Sequence, residues 1–107
     1  MKLNRELFES IRLRPGMYFT EERYVVVAAF VLGYDAANDG QILEGYRDWL
    51  AEKLGFGANL SWEPLVLSLA FPDAKQPEIE VELSEKNQRV AIDLLFETIY
   101  QFTELHR

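Results

Sequence analysis

The single histidine, His106, stands next to the C-terminal Arg107. A histidine acting as a general base needs a partner that orients its ring. No Ser–His–Asp, Cys–His or His-rich metal spacing can be assembled around this one. The chain contains no cysteine, which excludes disulfides and thiolate metal sites. Carboxylates alone can hold calcium or magnesium, but no aspartate-rich segment has calcium-loop spacing. Gly55-Phe56-Gly57 is no phosphate loop, because neither a preceding strand nor a following Lys-Ser or Lys-Thr pair accompanies it. No catalytic residue, metal ligand or cofactor site is therefore expected, and the chain reads as a non-enzymatic binding protein.

The chemistry that remains is charge. Eighteen acidic residues face eleven basic ones, for a net charge of −7. Such a surface repels phosphate backbones and attracts basic proteins, so nucleic acid is not an expected partner. Acidity also serves solubility alone. Two runs concentrate it. Glu44, Asp48 and Glu52 recur at i, i+4, i+8 on one side of a helical segment, where like charges cost about 0.2–0.5 kcal/mol per pair. Glu78, Glu80, Glu82 and Glu85 follow later. These seven are the candidate partner-binding residues. The competing reading is a pair of solvated faces, with Arg47 and Lys53 beside the first and Lys75 and Lys86 beside the second. Asp35 differs, since it lies within an apolar helical stretch. A buried carboxylate must be paired or hydrogen-bonded, and Arg12 or Arg14 is the expected counter-ion.

These side chains must be positioned by helices. Leu3, Leu7, Phe8 and Ile11 fall at helical spacing over Leu3–Arg12, with Asn4 as cap. Arg14-Pro15-Gly16 breaks that helix and is expected to turn Met17 and Tyr18 into the core. Thr20 then caps a helix to about Asn38, with Glu21 and Glu22 in its first turn. From Tyr24 to Leu32 that helix has no polar face, so it is expected to be the buried central element. A third helix spans Ile42–Leu54 and stops at Gly55, with Trp49 on its apolar side. Ser61 and Pro64 favour a helix through Leu65–Phe71, where helix and strand compete. Glu78–Leu83 alternates charged and apolar residues, which reads as an extended segment or an ordered loop. Ser84 caps a last amphipathic helix running to the C-terminus.

The fold expected is all-α: a single domain over residues 1–107, a compact bundle of about five helices around a buried second helix, with one short extended segment near 78–83. No apolar run reaches the ~18 residues of a membrane span and the N-terminus has no signal-like core. A cytoplasmic protein without membrane contact is the expectation, and a homodimer is possible.

Two resemblances add to this reading. Arg14-Pro15-Gly16-Met17-Tyr18 is similar to a segment of gyrase B and histidine-kinase-type ATPases. The following helix, with Asp35, Asn38 and Asp39, lacks their glutamate-plus-asparagine pattern. No Asp-Gly-Gly motif follows, so ATPase activity does not carry over. The second resemblance spans most of the chain. Arg14–Tyr18, Phe30-Val31-Leu32-Gly33-Tyr34, Tyr46-Arg47-Asp48-Trp49-Leu50, Ser61-Trp62 and Ala91 through Phe96-Glu97 to Phe102 resemble, in order, the motifs of small acidic immunity-like proteins from bacterial polymorphic-toxin loci. That resemblance implies a protein that binds and neutralises a cognate, basic toxin. The segment Pro72–Glu82 is longer and more acidic than the family pattern, which makes it a place for partner specificity.

Overall fold

A computed structural model describes residues 2–106. Six α-helices follow one another, all-α as expected, and the described residues form no strand: α1 Arg5–Leu13, α2 Tyr24–Ala37, α3 Tyr46–Leu54, α4 Trp62–Ala70, α5 Pro77–Glu80 and α6 Glu85–Leu105. Asn4 caps α1, its Oδ1 accepting from the Leu7 amide at 3.0 Å. Ser84 caps α6 in the same way, its Oγ accepting from the Asn87 amide at 3.0 Å. Short polar side chains at these positions satisfy amides that the helix itself leaves bare.

The centre of the fold is α6, not α2. Gln88, Ala91, Ile92, Leu95, Phe96, Thr98, Ile99, Tyr100 and Phe102 are all buried along it. It packs against α1, α2, α3, α4 and the turn after α5. The expectation that α2 is buried on all sides fails. Tyr24, Val27, Ala28 and Val31 are buried, while Val25 and Leu32 are 51% and 50% exposed and Ala29 is open. The reason lies in the shape. The Cα extents are 36 × 33 × 19 Å, and a thickness of 19 Å holds only about two helix layers. An outer helix in such a slab is covered on one side.

The start of α2 also differs from the expectation. Thr20, Glu21 and Glu22 lie outside the helix, and Arg23 occupies the N-cap with extended backbone. The Tyr24 amide donates to Gln88 Oε1 at 2.7 Å. A side chain from α6 thus supplies the acceptor that a local cap would otherwise provide. The preceding Pro15–Met17 stretch is a 3-10 turn. Met17 is 71% exposed and Tyr18 is also exposed, so neither enters the core. The Tyr18 hydroxyl is held instead by Ser10 Oγ at 2.8 Å. Phe19 makes the inward contact, its ring 5.7 Å from that of Phe30.

Helix α3 begins at Tyr46 rather than Ile42, because Gly45 sits at φ +87° in the left-handed region. Ile42 and Leu43 are still buried. Asp35 holds that turn, accepting from the Leu43 amide at 2.9 Å. It therefore meets a backbone amide and not Arg12 or Arg14. The run after Pro64 is helical and buries Leu65, Val66 and Leu67. Trp62 is buried against Tyr46, and Trp49 is partly buried beside Phe102.

The segment near 78–83 is not extended. Pro77 opens the single turn of α5, and Val81–Leu83 continues it as a 3-10 turn. Only Val81 enters the core, while Ile79 and Leu83 point outward at 52% and 66% exposure. Proline fixes φ near helical values at a helix start. Val81 alone anchors this seven-residue segment, which has no strand to pair with among the described residues. Asn87 Nδ2 ties it to α6, donating to the Glu80 carbonyl at 2.9 Å.

Helix α1 runs antiparallel to α6 along a polar seam. Arg5 pairs with Glu104 at 3.2 Å and covers the Tyr100 ring at 3.8 Å. At the other end Asp93 faces Arg89 at 2.9 Å and Arg12 at 3.8 Å.

Candidate functional site

The seven acidic candidates do not form one surface. Glu44 lies in the turn before α3 and lines an open cleft of about 330 Å³ with Lys2, Arg5, Glu104 and His106. There the His106 ring stacks on Phe102 with centroids 4.4 Å apart. Asp48 and Glu52 are exposed on α3, and Asp48 pairs with the adjacent Arg47. Glu78 is exposed on α5. Glu80 is half-buried and lines a shallow depression with Ala70, Phe71 and Asp73.

Glu82 and Glu85 are brought together with two residues that sequence reasoning placed in the first turn of α2. A groove of about 620 Å³ runs between the start of α2 and the start of α6. Glu21, Glu22, Arg23, Glu82, Ser84, Glu85, Gln88, Arg89 and Ile92 line it. Because Thr20 does not start the helix, Glu21 and Glu22 stay exposed ahead of α2 and line the groove.

Arg23 crosses this groove. Its Nη2 lies 2.7 Å from Glu82 Oε2, and its Nη1 lies 3.7 Å from Glu21 Oε2. The hydrogen bond that Arg23 donates to Glu82, and then the Glu82 charge, hold the guanidinium pKa above its ordinary value. Glu22 and Glu85 have no ion pair among the described residues. Arg89, the second cation, is engaged elsewhere with Asp93 and the Arg12 carbonyl.

Gln88 forms the floor and was missed by the sequence reading. It is only 8% exposed. The Tyr24 amide is a donor, so the Gln88 oxygen must face it, which fixes the amide orientation. The Gln88 nitrogen has no acceptor among the described residues. A signal for it was present in the sequence. Gln88 precedes Ala91, Ile92 and Leu95 by three, four and seven residues, so a polar side chain stands at a core-facing position of α6.

A second polar cluster lies in the core. The Tyr24 hydroxyl donates to the Glu63 carbonyl at 2.8 Å, and the Tyr46 hydroxyl meets Thr98 Oγ1 at 2.7 Å. Burial raises both tyrosine pKa values. These groups join α2, α3, α4 and α6 from inside and line none of the three clefts described above.

The groove offers carboxylates and one primary-amide donor, an arrangement suited to binding a cation together with a hydrogen-bond acceptor. Among the described residues no group of three or more His, Cys, Asp or Glu side chains is placed to hold a metal ion. No helix among them is long and apolar enough to cross a membrane. No protein-family model, curated protein or solved structure matches the chain.

Proposed function

We propose that this chain is a non-enzymatic immunity protein of the bacterial cytoplasm, which neutralises a basic toxin domain through its acidic α2–α6 groove. The observation that carries the reading is the acidic lining of the groove, where Glu21, Glu22, Glu82 and Glu85 meet. Ile79 on α5 and Leu83 in the 3-10 turn after it are also exposed, and Leu83 stands between Glu82 and Glu85 in the sequence. Protein interfaces combine an apolar centre with a polar rim, and complementary charge accelerates encounter with a basic partner. The resemblance of the motif order to toxin-locus proteins points to the same partner class.

The test is to read the genes on either side of this one and, where one encodes a large protein, to co-express the chain with that protein's C-terminal domain. Survival of cells that the domain alone kills, and a one-to-one complex on a sizing column, are expected. Charge reversal at Glu82→Lys with Glu85→Lys should weaken that complex at least tenfold. A harmless neighbouring domain, or a toxic one that the chain neither binds nor neutralises, overturns the reading.

A second reading rests on α2. The exposed Val25, Ala29 and Leu32 share a face of that helix, and no charged residue occurs from Tyr24 to Tyr34. On a chain of net charge −7, this is a place where a second copy meets no like charge. Self-association would then make the chain a structural or adaptor module.

A further inference from the structure

Helix α1 is attached to the rest of the fold mainly through one ring. Phe8 and Ile11 are the two side chains it buries. The Phe8 ring fills a hollow between α2 and α6, its centroid 6.0 Å from that of Phe30, 5.0 Å from Tyr34 and 5.8 Å from Phe96. The ion pairs toward the two ends of α1 are solvated. The Arg5 and Glu104 side chains are 51% and 59% exposed, and Arg12 stands 3.8 Å from Asp93. Exposed pairs of this kind add little to stability. Two hydrogen bonds reach the α1 backbone from other helices. The Tyr34 hydroxyl accepts from the Asn4 amide at 3.0 Å, and Arg89 donates to the Arg12 carbonyl at 3.3 Å.

At the middle of the seam the docked position carries a cost. The Tyr100 hydroxyl is buried where α1 covers α6, and it has no hydrogen-bond partner among the described residues. Burial first, and then the Glu9 carboxylate of α1, raise its pKa, yet no hydrogen bond joins the two groups. A hydroxyl buried unpaired opposes the docked state and is relieved when water reaches it. The chain beyond α1 restrains it little. Pro15 stops the helix, and Leu13 and Met17 are 78% and 71% exposed. A swing about Arg14 therefore pulls neither of them out of the core. The side-chain tie across this bend joins the Ser10 and Tyr18 hydroxyls at 2.8 Å in an exposed position, where water competes for both.

We propose that α1 is a strap that undocks as a unit while α2 to α6 stay folded, uncovering the aromatic hollow of Phe30, Tyr34, Phe96 and Tyr100. Proteins open in contiguous units, and those with few buried apolar contacts open first. Helix α6, which buries nine residues, is the opposite extreme. The acidic groove is a separate feature, since no α1 residue lines it. The strap therefore stands or falls independently of the toxin reading.

The test is backbone amide exchange of the ¹⁵N-labelled full chain, followed by NMR at a series of urea concentrations below the unfolding transition. The amides of Glu9, Ile11 and Arg12 should exchange through one shared opening, about tenfold or more faster than those of Leu95, Phe96 and Ile99 in α6. Their exchange should also depend less on urea, because undocking exposes less surface than unfolding does. Two variants separate the strap from whole-chain opening. Tyr46→Phe removes the hydrogen bond between Tyr46 and Thr98 inside the α3–α6 core, which the undocked form retains. It should speed exchange in α6 several-fold and leave α1 unchanged. Tyr100→Phe removes the unpaired hydroxyl and should slow α1 exchange several-fold. The proposal is overturned if α1 and α6 exchange at one rate with one urea dependence, if Tyr46→Phe speeds both helices alike, or if Tyr100→Phe speeds exchange in α1.

Discussion

At single residues, two side-chain environments set measurable stabilities. Gly57 sits at φ +91°, and a Cβ there would lie 2.4 Å from Cδ2 of Leu65, which is fully buried. Gly57→Ala therefore combines a left-handed backbone penalty with a displaced core leucine, for a loss of about 2–4 kcal/mol. Urea unfolding followed by tryptophan fluorescence would measure it, and a loss under 1 kcal/mol would show that Leu65 moves freely. Tyr100 gives a pH dependence. Burial first, and then the neighbouring Glu9 carboxylate, push its pKa up to about 12. In the unfolded chain a tyrosine loses its proton near pH 10. Between these values the unfolded state binds fewer protons, so stability falls as pH rises. The contribution is complete below pH 10 and lost as pH climbs through the folded value. Tyr24 and Tyr46 act in the same direction. Tyr100→Phe should flatten the decline in unfolding free energy above pH 10 by up to about 1.4 kcal/mol per pH unit. Parallel curves for variant and wild type would contradict this assignment.

At the level of elements, the local signals that the sequence carries work where one side chain decides the outcome. Asn4 and Ser84 both look like caps and both accept a backbone amide. Ser61 looks the same but makes no side-chain cap bond. Ser84→Ala should therefore cost about 1 kcal/mol of stability, and Ser61→Ala only a few tenths. Equal melting temperatures for the two variants would remove the distinction. Signals fail where a distant element decides. The cap-like Thr20 loses to Gln88, which is 64 residues from Tyr24 along the chain and takes over the first amide of α2. The alternation over Glu78–Leu83 has a period of two, but over so short a run one buried residue, Val81, fits a helical turn equally well. Asp35 looked like half of a buried ion pair, and a backbone turn eight residues on satisfies it instead. The candidate site shows the same division. Glu82 and Glu85 were legible as charges in a run, while their grouping with Glu21, Glu22 and Gln88 depends on where α2 begins, which only the packing against α6 determines.

For the whole molecule, slab shape and net charge together set how the chain meets other proteins. An all-apolar α2 would be buried in a thicker bundle, but here its outer face meets water. The proposed toxin-binding groove and the proposed self-association face on α2 differ in charge, and salt separates the two proposals. Raising ionic strength from 0.05 M to 0.5 M shortens the screening length from about 14 Å to about 4 Å. A complex between the acidic groove and a basic domain loses its long-range attraction and should weaken at least tenfold, mainly through slower association. Two copies of a chain of charge −7 lose their mutual repulsion instead, so association through α2 should strengthen over the same range. Sedimentation velocity of the chain alone and surface binding of the neighbouring toxin domain, each at both salt concentrations, give opposite signs for the two interfaces. The immunity reading requires a salt-weakened toxin complex and a chain that remains monomeric at micromolar concentration in 0.5 M salt. A salt-strengthened dimer broken by Leu32→Lys, with no toxin complex at either concentration, would transfer the function to α2.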